Sequence, residues 1–163
     1  MRGLKIGDWG RRSGVTLVEL LIVVALVGLL AGITFPAVSS GIDSLRLRSA
    51  TDAVVAFLNG GLNRAERRQQ VVEVTISRAA NALWLRSAEP GWVRTLEMPE
   101  GVSILTVLPK LPDETDLPRR FLLYPGGTAP RFGVELANRK GARRIVRVDP
   151  ITGVPLVEVG EAR

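Results

Sequence analysis

The sequence predicts an α+β fold in which a long N-terminal helix, transmembrane in its first part and amphipathic in its second, packs on a C-terminal antiparallel β-sheet domain. Three observations lead there. From Val15 to Phe35 the chain is apolar except for Glu19. From Leu47 to Ala65 apolar residues recur at helical spacing. Beyond Gln70 the pattern changes to short alternating segments separated by turn residues.

The 163 residues fit one domain plus an anchor. Of the formal charge of +6, Arg2, Lys5, Arg11 and Arg12, offset by Asp8, supply +3 ahead of the apolar run. The remainder is mildly basic, which is not the composition of an obvious nucleic-acid binder. Cysteine and histidine are absent. Disulfides, zinc sites on those residues, thiol nucleophiles and Ser-His-Asp triads are thereby excluded. No cofactor, metal or enzymatic activity is expected.

Residues 1–14 form a short basic leader. The run from Val15 to Phe35, wound as a helix, is roughly 31 Å long and can cross a bilayer core. The cations ahead of it place the N-terminus in the cytoplasm and the rest of the chain outside. Glu19 is then the anomaly, because a carboxylate in a membrane helix costs about 2.5–3.5 kcal/mol at the centre and less near the interface. Arg12 is seven residues back, and no lysine or arginine follows within a turn. A cut between Gly14 and Val15 would create an α-amino group within reach of Glu19, on the same chain or on a staggered neighbour.

The stretch "RSGVTLVELLIVVALVGLLAGITFP" resembles the class III signal of type IV pilins and type II secretion pseudopilins. Gly14, Thr16, Glu19 and Pro36 stand at its characteristic positions, while Val15 replaces the usual phenylalanine. The resemblance implies that a prepilin peptidase cleaves after Gly14 and methylates the new amine of Val15. It further implies that Thr16, Glu19 and Pro36 serve assembly, with Glu19 neutralising the terminal amine of an adjacent subunit. The plainer readings are a signal anchor, a secretory signal cut near Ala37-Val38-Ser39, or a twin-arginine signal at Arg11-Arg12. Glu19 inside the apolar run counts against them.

After the anchor segment, residues 15–36, Pro36 is expected to bend or break the helix, and Ser39-Ser40-Gly41 to loosen it. Residues 37–70 then read as an amphipathic helix ending near Arg68. Leu47, Ala50, Val54, Phe57, Leu58, Leu62 and Ala65 form its core stripe. Asn59-Gly60-Gly61 marks a kink or a close-packing spot against the sheet.

Residues 71–163 form the β-rich domain, with strands expected at "VVEVTIS", "ALWLRS", "WVRTLEM", "VSILTVL", "RRFLLY", "RFGVELA", "RRIVRVD" and "VPLVEV". Turn chemistry separates them at Glu89-Pro90-Gly91, Pro99-Glu100-Gly101, Pro125-Gly126-Gly127 and Pro150-Ile151-Thr152-Gly153. The stretch "PKLPDETDLP", residues 109–118, reads as an exposed loop.

"LNGGLNRAERRQQVVEVTIS", with Leu58, Leu62, Arg64, Ala65, Glu66, Arg68 and Val71, is similar to the helix-to-strand junction of the GspH/FimT family. "MPEGVSI" and "RIVRVDPITGVPLVEV" add to the likeness. This implies a minor pseudopilin of the type II secretion system at or near the tip of the pseudopilus, held in the inner membrane with its β domain in the periplasm. The implied partners are the prepilin peptidase, other major and minor pseudopilins, the inner-membrane assembly platform, the membrane and secreted substrate.

The alternative is a FimT-like minor type IV pilin that binds DNA during uptake. Its candidate contacts are Arg139, Lys140, Arg143, Arg144 and Arg147, several of which would share one edge if Gly141-Ala142 is a hairpin turn. Trp84, Trp92 and Tyr124 are better explained as sheet core or pocket filling than as base-stacking platforms. Asp113, Glu114 and Asp116 cluster in a proline-flanked loop with no reason for shifted acidity, which makes them poor catalytic acids.

Overall fold

A computed structural model describes residues 15–111, 116–126 and 129–160, the side chains of residues 32–40 excepted. Helix α1 (Leu17–Arg68) is followed by β1 (Val72–Ser77), β2 (Ala82–Ser87), β3 (Val93–Glu97), β4 (Val102–Leu108), β5 (Arg119–Leu123), β6 (Gly133–Asn138), β7 (Arg143–Val148) and β8 (Pro155–Gly160). These are the eight predicted strands, each within two residues of its expected ends. The chain divides into two compact units, Met1–Val38 and Ser39–Arg163.

In the first unit every described side chain from Val15 to Ala31 is exposed. A helix that is apolar on all sides needs an apolar medium or other helices around it. Among the described residues no helix is long and apolar enough to cross a membrane. The described apolar side chains cover roughly 24 Å at helical rise, short of the ~30 Å core. The remainder of the predicted span, residues 32–36, falls among the residues whose side chains are not described. The expected break at Pro36 is not found, for α1 continues through it and through Ser39-Ser40-Gly41. One proline removes a single ladder hydrogen bond, and the turns on either side carry the helix past it.

In the second unit α1 buries the predicted stripe. Leu47, Ala50, Val54, Leu58 and Ala65 are buried, with Phe57 and Leu62 packed against them. Thr51 is also buried, its hydroxyl donating to the Leu47 carbonyl at 2.7 Å, so no polar group is left unpaired. At the C-terminus Gln69 adopts φ 51°, and the amides of Gln69 and Gln70 donate to the carbonyls of Glu66 and Ala65. That is a Schellman ending with glutamine where glycine is usual. The Asn59-Gly60-Gly61 interruption is a packing device. A Cβ on Gly61 would lie 2.9 Å from Leu85 Cδ2 and 3.2 Å from Leu123 Cδ1, so the helix meets the sheet at van der Waals distance through a bare backbone.

The β-rich part is two antiparallel four-stranded sheets, ordered β3-β2-β1-β5 and β4-β6-β7-β8. In the first, Val74 sits opposite Leu85 and Phe121, and Ile76 opposite Leu83 and Arg119. Alternation therefore turns Val72, Val74, Ile76, Leu83 and Leu85 to the core, which also takes Leu136, Val134, Val146 and Val148 from the second sheet. Phe121 and Phe132 stack at 4.4 Å between ring centroids, one ring from β5 and the other from the residue before β6. Asn81, at φ 50° in the β1–β2 turn, donates from Nδ2 to the Val102 carbonyl at 2.9 Å and accepts from the Ile104 amide at 2.8 Å. One side-chain amide thus ties the first sheet to the edge of the second.

Candidate functional site

The predicted processing site lies where α1 begins. Gly14 is outside the described residues; Val15 and Thr16 precede the first helical residue, Leu17. Thr16 is the N-cap. Its hydroxyl accepts the Glu19 amide at 3.2 Å, and its carbonyl accepts the Leu20 amide at 3.1 Å. Thr16 and Glu19 therefore stand three apart, the spacing of a capping box, with the carboxylate in the first turn where the helix dipole favours it. Glu19 is exposed, and among the described residues no cation pairs with it. The backbone of Pro36 is helical; its side chain is not described.

The second candidate, the basic hairpin, has the predicted turn. Gly141 holds φ 81°, a left-handed conformation that costs glycine nothing. Asn138 organises it: its side-chain oxygen accepts the amides of Lys140 at 3.1 Å and Ala142 at 3.0 Å, and its backbone exchanges hydrogen bonds with Gly141 and Ala142. Sequence reading missed Asn138, whose position just before a glycine turn was the available signal.

The cations of β7 divide between its two faces. Arg144 lies on the face of β7 that carries Val146 and Val148 to the core, while Arg143 and Arg147 lie on the opposite face. Three of them already meet carboxylates of the same chain: Arg139 with Glu100 at 2.5 Å, Arg143 with Glu135 at 3.3 Å, and Arg147 with Glu158 at 3.4 Å. The hydrogen bond and charge of Arg139 hold the Glu100 carboxyl below its usual range. A hairpin neutralised in this way presents a weak field to phosphates.

Elsewhere the aromatic expectation is corrected in one place, at Trp84. Trp92 is partly buried against the core, as expected. Trp84 sits half-buried on the outer face of the first sheet, because Leu83 and Leu85 beside it point inward. Tyr124, 54% exposed just past the end of β5, lines a pocket with Leu62, Leu123 and Ile151, as expected. Of the acidic cluster, Asp113 and Glu114 lie outside the described residues; Asp116 is exposed, 3.8 Å from Arg78. Among the described residues no group of three histidine, cysteine or acidic side chains is placed to hold a metal.

Residues 9–35 match the prokaryotic N-terminal methylation motif. The chain carries a prepilin-type N-terminus. The match supports a membrane-anchored type IV pilin-like or pseudopilin-like protein, processed by a prepilin peptidase and assembling with other pilins. No curated protein and no solved structure matches the chain.

Proposed function

We propose that this chain is a minor pseudopilin of a type II secretion system, similar to GspH, which works by assembly and not by catalysis. In this reading residues 15–36 anchor the precursor in the inner membrane with the basic leader in the cytoplasm, and the β-rich unit stands in the periplasm. A prepilin peptidase cuts after Gly14 and methylates Val15. The platform then draws the subunit into a fibre in which Glu19 faces the terminal amine of a neighbour, beside major and minor pseudopilins. The head offers its surface to partner subunits or to secreted substrate.

The observation that carries the reading is the methylation motif running into a helix whose side chains from Leu17 to Ala31 are apolar and exposed all round except at Glu19. Such a surface is stable only when covered, and a bundle of like helices covers it while supplying a cation for the carboxylate. The ion pairs of the basic hairpin weigh against the DNA-binding reading.

The test is the mass of the N-terminal peptide from membrane-expressed protein, with and without a prepilin peptidase. A peptide starting at N-methylated Val15 only in the presence of the peptidase is the expected result. An intact leader, or a cut near Ala37-Val38-Ser39, overturns the proposal.

A further inference from the structure

We propose that the cleft between the last turns of α1 and the β2–β3 hairpin binds an acidic peptide segment of a partner protein. The cleft lies wholly within the second unit and goes beyond the assembly reading, which rests on the N-terminus. Its cavity volume is about 470 Å³, enough for a few side chains. One wall is a single helix face, since Phe57, Gly60, Arg64 and Arg67 follow one another at three- and four-residue steps. Trp92, just before β3, and Arg94, within it, form the other.

Charge and shape point to the ligand. Arg64, Arg67, Arg68 and Arg94 line the cleft together with the apolar Phe57, Leu85 and Trp92. The Arg64 guanidinium lies 4.1 Å over the Trp92 ring and forms an ion pair with Glu89 of the hairpin turn. The chain's own carboxylate shows what that fork is oriented to take. Among the described residues no carboxylate pairs with Arg67, Arg68 or Arg94, and the buried Arg64 Nε–H has no hydrogen-bond acceptor. Arg67 and Arg68 also complement the C-terminal end of the helix dipole, which accounts for charge in that turn. It does not account for Arg94, which the sheet register places opposite Leu85.

A nucleic acid fits less well. Base stacking would need the ring face of Trp92 that Arg64 already covers, and the cleft is short compared with a strand-tracking groove. Carboxylates of an extended peptide, with one apolar side chain against Phe57, use the cations and the apolar lining together. Gly60 keeps the entrance open: a Cβ there meets no atom within 4 Å.

The test uses the full chain in detergent and fluorescence anisotropy of a labelled decapeptide of glutamates around one leucine. A glutamine version and an oligodeoxythymidine of equal length serve as comparisons. Saturable binding of the glutamate peptide alone is expected, weakened about tenfold or more by Arg67→Gln with Arg94→Gln. Gly60→Met, which fills the entrance without touching a charge, is expected to weaken it similarly with no loss of thermal stability. The proposal is overturned if the glutamate peptide fails to bind, if either variant binds it as the wild type does, or if the oligonucleotide binds more tightly.

Discussion

The adjacent glycines of α1 give the sharpest test of how the helix meets the sheet. Replacing either by alanine improves helix propensity by about 0.8–1.0 kcal/mol. At Gly60 nothing opposes that gain, because the new methyl has no atom within 4 Å. At Gly61 the methyl would lie 2.9 Å from Leu85 Cδ2 and 3.2 Å from Leu123 Cδ1. Those methyls belong to side chains only 2% and 1% exposed, so they cannot swing into solvent. Overpacking of this kind costs about 1–3 kcal/mol, which turns the gain into a net loss of about 1 kcal/mol. The two variants should differ by about 2 kcal/mol, or about 6–10 °C in Tm for a domain of this size. Thermal unfolding of both, followed by far-ultraviolet circular dichroism, measures this directly. If Gly61→Ala raises the Tm as much as Gly60→Ala, the helix does not approach the sheet through a bare backbone and the packing argument is wrong.

Three further outcomes are expected. Glu19→Gln should leave cleavage after Gly14 intact while reducing cross-linked multimers in membranes expressing the assembly machinery; undiminished multimers would separate the carboxylate from assembly. Asn81→Ala should destabilise by about 2–3 kcal/mol, from two lost hydrogen bonds between the sheets and a left-handed backbone that alanine tolerates poorly. Asn81→Asp, which keeps the acceptor, should fall in between in urea unfolding. The Asp149 carboxyl is held below its usual range by the Ile151 amide, then by the Thr152 hydroxyl. Its contribution to stability is therefore complete above the ordinary aspartate pKa of about 3.9 and is lost as pH falls through the lower folded value. An Asp149 titration midpoint by NMR at or above the ordinary value would contradict that geometry.

Element identities were legible because each rests on a local period. The stripe Leu47, Ala50, Val54, Leu58 and Ala65 needs no tertiary information, and neither does the alternation of Val72, Val74 and Ile76. The division into two sheets was not legible, since alternation tells which side chains share a face and not which strands become neighbours. The strand order places β5 beside β1 and β4 beside β6, pairings made across long connections. The same limit hid the ion pairs of the hairpin. Arg143 meets Glu135 only because β6 and β7 pair in the register that sets Ala137 opposite Arg143. The cleft was hidden too, because Arg64 and Trp92 come from separate elements 28 positions apart and meet only in the folded chain. At Pro36 the converse holds: helical turns on either side carry α1 past a residue that locally favours a break.

Glu19 is where local and assembly-level accounts compete, and magnitudes separate them. Locally, Thr16 caps the helix and a first-turn carboxylate gains about 0.3–1 kcal/mol from the dipole. A buried position in an apolar medium costs about 2.5–3.5 kcal/mol at the membrane centre, and somewhat less near its edge. The cap already takes its hydrogen bond from the Glu19 amide through the Thr16 hydroxyl, a contact that glutamine or alanine at position 19 would preserve equally well. Capping therefore explains a helix start at this position without explaining the charge. What remains requires a cation within a few ångströms, and the described chain offers none. Cleavage after Gly14 would create one next to the carboxylate in sequence, and packing of like helices would place another across the interface. Under the proposed function, the charge at Glu19 gains its purpose only in the processed, assembled state.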